Sequence, residues 1–507
     1  MAAEDADGDL ETRAFRALRG KMHPLPHISS LHFQGHTRSE GVPVSAPLLR
    51  AYSNAGIHSC PVVSVRQLLR EGRDFVNAAG SVRSGSPVRW WRILSWQMYD
   101  FADTIYSMNV TSFYFALFIA AFFGKNSTAY GWTLFVANLL VAVTSPLLGA
   151  MSDVSQRRLP FLRLFAVLTA VSTALIGVAT SYGIAVLLFT ISLIAYNTAG
   201  NFYQALLPGL ATPDTISRVS GIGVGLGYVG SIFGLASMLL LIHGEAQYPL
   251  AFPITAALYF LIALPCLTVV PDFAPPTRKA TFDVVGAYRR VADTLTHARK
   301  YPGLFRFLIA DFLYENAVAA VIFFMTPFAK ASTGMTDSQV QLFLIGATVF
   351  AVVMGMFFGR AVDRIGPKRS VLIMLGIWLI TLPLVSLVST PMQLFPLGAL
   401  AGIGLAAVWI SSRTYLIALA PVEKSGEFFG LYSLSGKSAG VVGILAWTVT
   451  AQILEPRYGE VFALKSAVWV MWLFVVIGLL LVLGLPNVRP TMANVLDRSK
   501  DAWSGAK

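Results

Sequence analysis

Asp100, Asp103, Glu315 and Lys437 are ionisable residues set inside long apolar runs. A charged side chain at membrane depth costs at least about 2.5 kcal/mol, so such residues mark binding, proton transfer or a buried ion pair. Asp100 and Asp103 are three apart and share one helix face with Ser107. Glu315 lies about eleven residues into its run, roughly 16 Å, near a bilayer midplane, and Lys437 is equally deep in a later run. A carboxylate and an ammonium at that depth suit proton coupling, or gripping the two ends of a zwitterion; an ion pair between helices is the structural alternative. Asn197 and Asn201 are four apart on one face of the fourth run, where an amide either hydrogen-bonds a substrate or ties neighbouring helices. Asn316, beside Glu315, and Tyr228 complete the candidate set. Arg413 is expected to reach the membrane interface from the end of its run.

No His, Cys, Asp and Glu combination has catalytic or metal-ligand spacing, so neither an enzyme, a metal site nor a cofactor is expected. Cys60 and Cys266 fall in the polar tail and in an apolar run, which suggests no disulfide framework. Gly225, Gly227 and Gly230 match the spacing of a dinucleotide fingerprint, but no strand precedes them. Close packing of helices explains them better.

The elements that must position these residues are membrane spans. Of 507 residues, 55% are hydrophobic and 13% charged, against about a quarter charged in soluble proteins. Mean hydropathy is +0.64. Apolar runs of roughly twenty residues, enough to cross a hydrocarbon core, fall at about 93–123, 130–151, 161–181, 183–208, 217–243 and 250–271. A second set follows at about 304–330, 338–362, 369–390, 392–419, 426–453 and 461–485. Residues 1–88 read as a disordered cytoplasmic tail without a secretory signal, with a weak amphipathic stretch over 62–76. Residues 89–271 form one six-helix bundle, 272–303 a cytoplasmic loop, 304–486 a second bundle and 487–507 a tail. In the loop, Phe282, Val285, Tyr288, Val291 and Leu295 recur at helical spacing among Arg289, Arg290, Arg299 and Lys300, which predicts an amphipathic helix on the membrane surface.

The net charge of +12 points to loops retained in the cytoplasm rather than to nucleic acid. Arg157, Arg158, Arg163, Arg278, Lys279, Arg364, Lys368 and Arg369 lie on the tails' side of the spans, while the other side holds Lys125, Lys330, Arg457 and Lys465. Both termini are therefore expected in the cytoplasm.

The two sets of spans repeat. Asp100-Phe101 is echoed by Asp311-Phe312, 211 residues later; Gly149 and Asp153 by Gly359 and Asp363, 210 later; Leu210-Ala211 by Leu419-Ala420, 209 later. A near-constant offset across three helices describes two parallel halves related by an axis along the membrane normal. By the same offset Tyr228 corresponds to Lys437.

Gly359-x-x-x-Asp363-Arg364-x-Gly366-x-Lys368-Arg369, and its partial copy Gly149-x-x-x-Asp153 leading to Arg157, resemble the gating loops of the major facilitator superfamily. There a glycine lets helices approach and an Asp at a helix end pairs with a cation or a helix N-terminus. The first copy lacks the Arg and Gly of the full form. Trp96-Gln-Met-Tyr99-Asp100-Phe101-Ala102-Asp103-Thr104, Asn201-Phe202-Tyr203-Gln204 through Pro208, and Arg218-Val-Ser-Gly221 with Gly223 are similar to the autophagy-related vacuolar effluxer family and its bacterial relatives. Asp103 and Gln204 stand where that family usually has Asn.

These resemblances imply an all-α major facilitator fold of about twelve spans. They also imply alternating access for a small polar solute such as an amino acid, with protons as a coupling ion through Asp103 or Glu315. A cation-coupled sugar symporter stays open, as does a receptor or scaffold that no longer transports. The expected partners are a small-molecule substrate and the lipid bilayer, with no nucleic acid, and the chain is expected to be a monomer. The expected location is a plasma (inner) membrane, or a vacuolar membrane in a eukaryote.

Overall fold

The computed structural model describes residues 90–155, 157–211, 215–272, 284–420 and 425–488. The chain divides into two units, Met1–Gly85 and Ser86–Lys507, and all described residues lie in the second. The expected tail, its amphipathic stretch and Cys60 fall outside the described residues.

Thirteen long helices are described, and no strand occurs among the described residues. The first half contains α1 (Trp90–Phe123), α2 (Ser127–Ser155), α3 (Leu159–Ile176), α4 (Tyr182–Leu210), α5 (Ile216–Leu241) and α6 (Tyr248–Val269). After α7 (Val284–Ala298) come α8 (Pro302–Thr333), α9 (Asp337–Ile365), α10 (Pro367–Leu387), α11 (Pro391–Leu419), α12 (Ser425–Tyr458) and α13 (Glu460–Leu483). Eleven of these are long and apolar enough to cross a membrane. The twelfth crossing is α12, whose 34 residues include Lys437 and several Ser and Gly that dilute its apolar run.

Local chemistry sets the boundaries. Proline in the first turn opens α3, α6, α8, α10 and α11, where its missing N–H has no helical partner to lose. Thr336 with Gln339 and Thr390 with Gln393 form capping boxes on α9 and α11. Gly124 and Gly334, equivalent in the repeat, end α1 and α8 at φ 59° and 68°, the left-handed region that stops a helix cleanly. Helix α12 runs to Tyr458, beyond the expected 453, and α3 stops at Ile176, short of the expected 181, where Gly177 follows.

The repeat is visible in the packing. Helix α1 packs on α5 and α6, α3 on α4 and α6, and α2 on α4. In the second half α8 packs on α12 and α13, α10 on α11 and α13, and α9 on α11. The halves meet along α2–α12 and α5–α9, two seams that a two-fold axis would exchange. Helices α4 and α11 pack closely only within their own halves.

One feature of α1 has no counterpart in α8. Ser107–Tyr114 is a π-helical segment, in which backbone carbonyls accept from the fifth residue on, as Val110 does from the Phe115 N–H. Two of them are used by other helices. Tyr130 donates to the Thr111 carbonyl at 2.5 Å, and Thr326 of α8 to the Ser112 carbonyl at 2.6 Å.

The glycine run is a packing device, in part. A Cβ at Gly230 would collide with the Phe101 carbonyl, and one at Gly227 would press on Thr104 at 3.2 Å. At Gly225 it would meet nothing within 4 Å. Thr104 donates across this contact to the Gly227 carbonyl at 2.5 Å.

Candidate functional site

Aromatic side chains of α1, α4 and α6 build the wall behind the first pair of acids. Trp96 stacks on Tyr203 at 4.5 Å, Tyr99 on Tyr203 at 4.6 Å and Tyr106 on Tyr196 at 4.4 Å. Offset stacks of this kind hold their rings rigidly. Hydrogen bonds lock them further: Tyr99 with Tyr259 at 2.9 Å, Tyr106 with Ser192 at 2.8 Å, and the Trp96 indole to the Tyr203 carbonyl at 3.1 Å. Against this wall Asp103 is half-buried and accepts a hydrogen bond from Tyr196 at 2.7 Å. Asp100, a turn nearer the termini, is also half-buried, with its carboxylate hard against α5 at Gly223, where a Cβ would collide with Oδ2.

In the second half Glu315 is half-buried on α8. Its carboxylate lies 2.7 Å from the position of a Cβ at Gly436 on α12, and Tyr432 donates to it at 3.5 Å. Lys437 continues the same helix, but its side chain lies outside the described residues, so the expected pairing with Glu315 is not described. One turn before Glu315, Asp311 is fully buried and accepts from Tyr314 at 2.6 Å.

Arg413 joins the two halves electrostatically. It is an exposed residue of α11, and its charge acts on Asp100 and Tyr228 of the first half and on Glu315 and Tyr432 of the second. Among the described residues no carboxylate comes within 4 Å of it. The groups its charge reaches belong to both halves. The repeat holds a signal for it: at the 209-residue offset Arg413 corresponds to Gln204, and the adjoining Ser412 to Tyr203, which neighbours Asp100.

The other candidates separate. Tyr228 is half-buried near Arg413. Asn197 is half-buried, and its amide donates to the Leu193 carbonyl of its own helix at 2.9 Å; Asn201 is half-buried one turn on. Asn316 is fully buried and held by backbone: it donates to the Phe312 carbonyl and accepts from the Gly443 N–H, both at 2.5 Å. The structure thus places Asn316 in the α8–α12 contact.

At the end of the bundle near the termini, the loop cations cap helices. The Arg158 and Leu159 N–H groups donate to Asp272, Arg163 donates to the Leu267 carbonyl at 2.6 Å, and Lys368 donates to the Leu483 and Leu485 carbonyls at 2.9 and 2.6 Å. Cations at helix C-termini are favourable because the last carbonyls there carry partial negative charge. Arg157, Arg364 and Arg369 of the gating motif are exposed. At Gly149, Asp153, Gly359 and Asp363 only helical backbone is described, and their side-chain positions fall outside it.

At the opposite end the halves are tied together. Besides Thr326 to Ser112, Gln341 donates to Tyr114 at 2.7 Å and Tyr248 donates to Asp337. Trp132 donates to Gln452 at 2.9 Å, and Asn126 and Thr128 each donate to Glu455 at 2.8 Å. Phe324 stacks on Trp447 at 4.9 Å beneath them. The bundle is thus closed at the end away from the termini. Toward the termini, α4 and α11 pack closely only within their own halves, and Arg413 is exposed.

Comparison with known proteins settles the class. The family described as "Vacuole effluxer Atg22 like" matches residues 125–492. The chain belongs to this Atg22-like effluxer family. The matched stretch begins after α1, so Asp100 and Asp103 lie outside it. The MFS-type transporter YxiO of Bacillus subtilis is 28% identical over 78% of this chain and 95% of its own. Autophagy-related protein 22-2 of Aspergillus clavatus is 23% identical, over 48% of this chain and 44% of its own. Among solved structures, the nucleoside transporter NupG superposes with a TM-score of 0.64 at 14% identity, covering 77% of this chain and 99% of that one. A bacterial homologue of the human lysosomal transporter Spinster gives 0.59, at 14% identity, over 79% and 97%. This Atg22-like protein is a multi-pass membrane transporter with the major facilitator fold.

Proposed function

We propose that this Atg22-like transporter moves a small zwitterionic solute, an amino acid, by alternating access, and couples the movement to protons. The observation that carries this reading is Arg413, an exposed cation of α11 whose charge reaches a carboxyl group in each half, Asp100 and Glu315. A substrate carboxylate binds the guanidinium through paired N–H donors, and a substrate ammonium meets the acids. Asp103 with Tyr196, and Glu315 with Tyr432, are the ionisable groups placed to exchange protons with water between the halves.

The distribution of Lys and Arg supports cytoplasmic termini, which makes the described conformation the one open to the cytoplasm. Val285, Tyr288 and Leu295 form an exposed apolar face on α7 that suits the surface of the bilayer, with the chain acting as a monomer in a plasma or vacuolar membrane.

The test is uptake by proteoliposomes of isotope-labelled amino acids and, separately, sugars, with and without a pH gradient. Amino-acid uptake that rises with the gradient and fails in Arg413→Ala is expected. Uptake of sugars alone overturns the reading.

A further inference from the structure

Asp311 is the one acid of the central region that the substrate reading does not use. It sits on α8, one turn before Glu315, with 0% of its surface exposed. Its Oδ1 accepts from the Tyr314 hydroxyl at 2.6 Å. That hydroxyl has a single proton, so the Ser412 hydroxyl 2.7 Å away on α11 must donate to it in turn. No donor reaches Oδ2.

The groups that face Asp311 are few. Helix α8 offers Tyr314 and Glu315, α11 offers Ser412, and α12 offers Tyr432; Arg413, next to Ser412, acts on Glu315 and Tyr432. Helix α13 packs here through Gly478, and residues 475–482 hold nothing ionisable. Among the described residues no Lys or Arg lies within ion-pair distance of Asp311. A fully buried carboxylate with one oxygen lacking any donor is strongly disfavoured, whereas a protonated carboxyl with Oδ1 hydrogen-bonded is tolerable.

We propose that Asp311 is the residue that binds and releases the coupling proton. In the conformation described, the O–H bond is formed and the carboxyl is neutral. When the halves rock, Arg413, adjacent in sequence to Ser412, turns to the free edge at Oδ2. The O–H bond then breaks, the proton passes by way of Glu315 to water between the halves, and the guanidinium balances the new negative charge. Asp311 thus alternates between a proton and Arg413, and Arg413 between Asp311 and the substrate. This rests on the proton-coupled reading above, but not on the identity of the substrate.

The first experiment needs no substrate. Infrared difference spectra of the full chain in liposomes, taken between acid and alkaline buffer, are expected to show the C=O stretch of a protonated carboxyl that Asp311→Asn removes. If the Asp311→Asn spectrum superimposes on the wild type, the proposal fails. Should that variant not fold, Tyr314→Phe and Ser412→Ala keep the acid and alter its hydrogen bonds. They are expected to move the band, and an unmoved band overturns the assignment. In proteoliposomes given a mixture of the standard amino acids, Asp311→Asn is expected to retain exchange of labelled amino acid and to lose internal acidification reported by pyranine. Acidification at the wild-type rate overturns the proposal. If the wild type moves no amino acid, the substrate reading falls while the infrared band still decides the proton site.

Discussion

Thr326 on α8 donates at 2.6 Å to the Ser112 carbonyl on α1, a bond that crosses from one half of the bundle to the other. Ser112 lies in the π-helical segment Ser107–Tyr114, and its carbonyl has a second lone pair with which to accept this bond. The bond exists only while this end of the bundle is closed. Thr326→Val keeps the shape and removes the donor. A hydrogen bond contributes a net of about 1 kcal/mol, so the balance between closed and open should move by roughly fivefold. The measurement is maleimide labelling of Thr448→Cys, a buried position on the α2–α12 seam. Its labelling rate is expected to rise by that factor in Thr326→Val, and an unchanged rate would remove Thr326 from the closure.

Gly230 and Gly225 are five residues apart on α5 and differ in what surrounds them. A Cβ at Gly230 collides with the Phe101 carbonyl, a backbone atom that cannot turn aside, while one at Gly225 meets open space. Gly230→Ala should destabilise the purified protein by about 1–3 kcal/mol, the usual range for overpacking. Gly225→Ala should be neutral, since alanine is the better helix former. Thermal unfolding of the two variants in detergent compares them directly. Equal melting temperatures would show that the α1–α5 contact is not set by these glycines.

Much of this architecture can be read from spacing. The offset of about 210 residues predicts which helices are equivalent, and the equivalent helices do pack alike. Asp100 and Asp311, matched by that offset, both lie on the first helix of their half. What the spacing does not carry is environment. Asp311 is sealed because Tyr314 and Ser412 close over it, while Asp100, set against Gly223 of α5, keeps part of its surface open. The π-helical turn is invisible in the sequence of α1 because tertiary hydrogen bonds stabilise it. Arg413 reads as an interface residue when depth is counted from the end of its run. Its charge reaches acids of both halves, which depth along one helix does not show.

Asn316 shows why a polar residue inside a span is not by itself a ligand. Its carbonyl oxygen accepts from the Gly443 N–H, its amide donates to the Phe312 carbonyl, and a Cβ at Gly443 would collide with the Asn316 backbone. Asn316→Ala removes both of these hydrogen bonds and should cost about 1–3 kcal/mol of stability. The ranking of transported solutes should not change. Competition assays on the surviving folded fraction, alongside melting curves, check this; a changed ranking would return Asn316 to the substrate site.

Arg413 supports the sharpest contrast between variants. A lysine in its place would keep the charge but lose the planar fork of donors that pairs with a carboxylate. If the guanidinium holds the carboxylate of the solute, Arg413→Lys and Arg413→Ala should both weaken binding of amino acids. A charged hydrogen bond is worth about 1.5–3 kcal/mol, a loss of roughly 10- to 150-fold in affinity. Amines that lack the carboxylate should lose little. Removing the cation also leaves Asp100 and Glu315 facing the space between the halves without a compensating charge, so Arg413→Ala should lower stability as well. Adding Glu315→Gln to Arg413→Ala should recover part of that stability without recovering affinity for the carboxylate. Thermal stabilisation of the purified variants by amino acids and by the matching amines reads both effects. Equal losses for acids and amines would place Arg413 in the scaffold of the site and leave the carboxylate to another group.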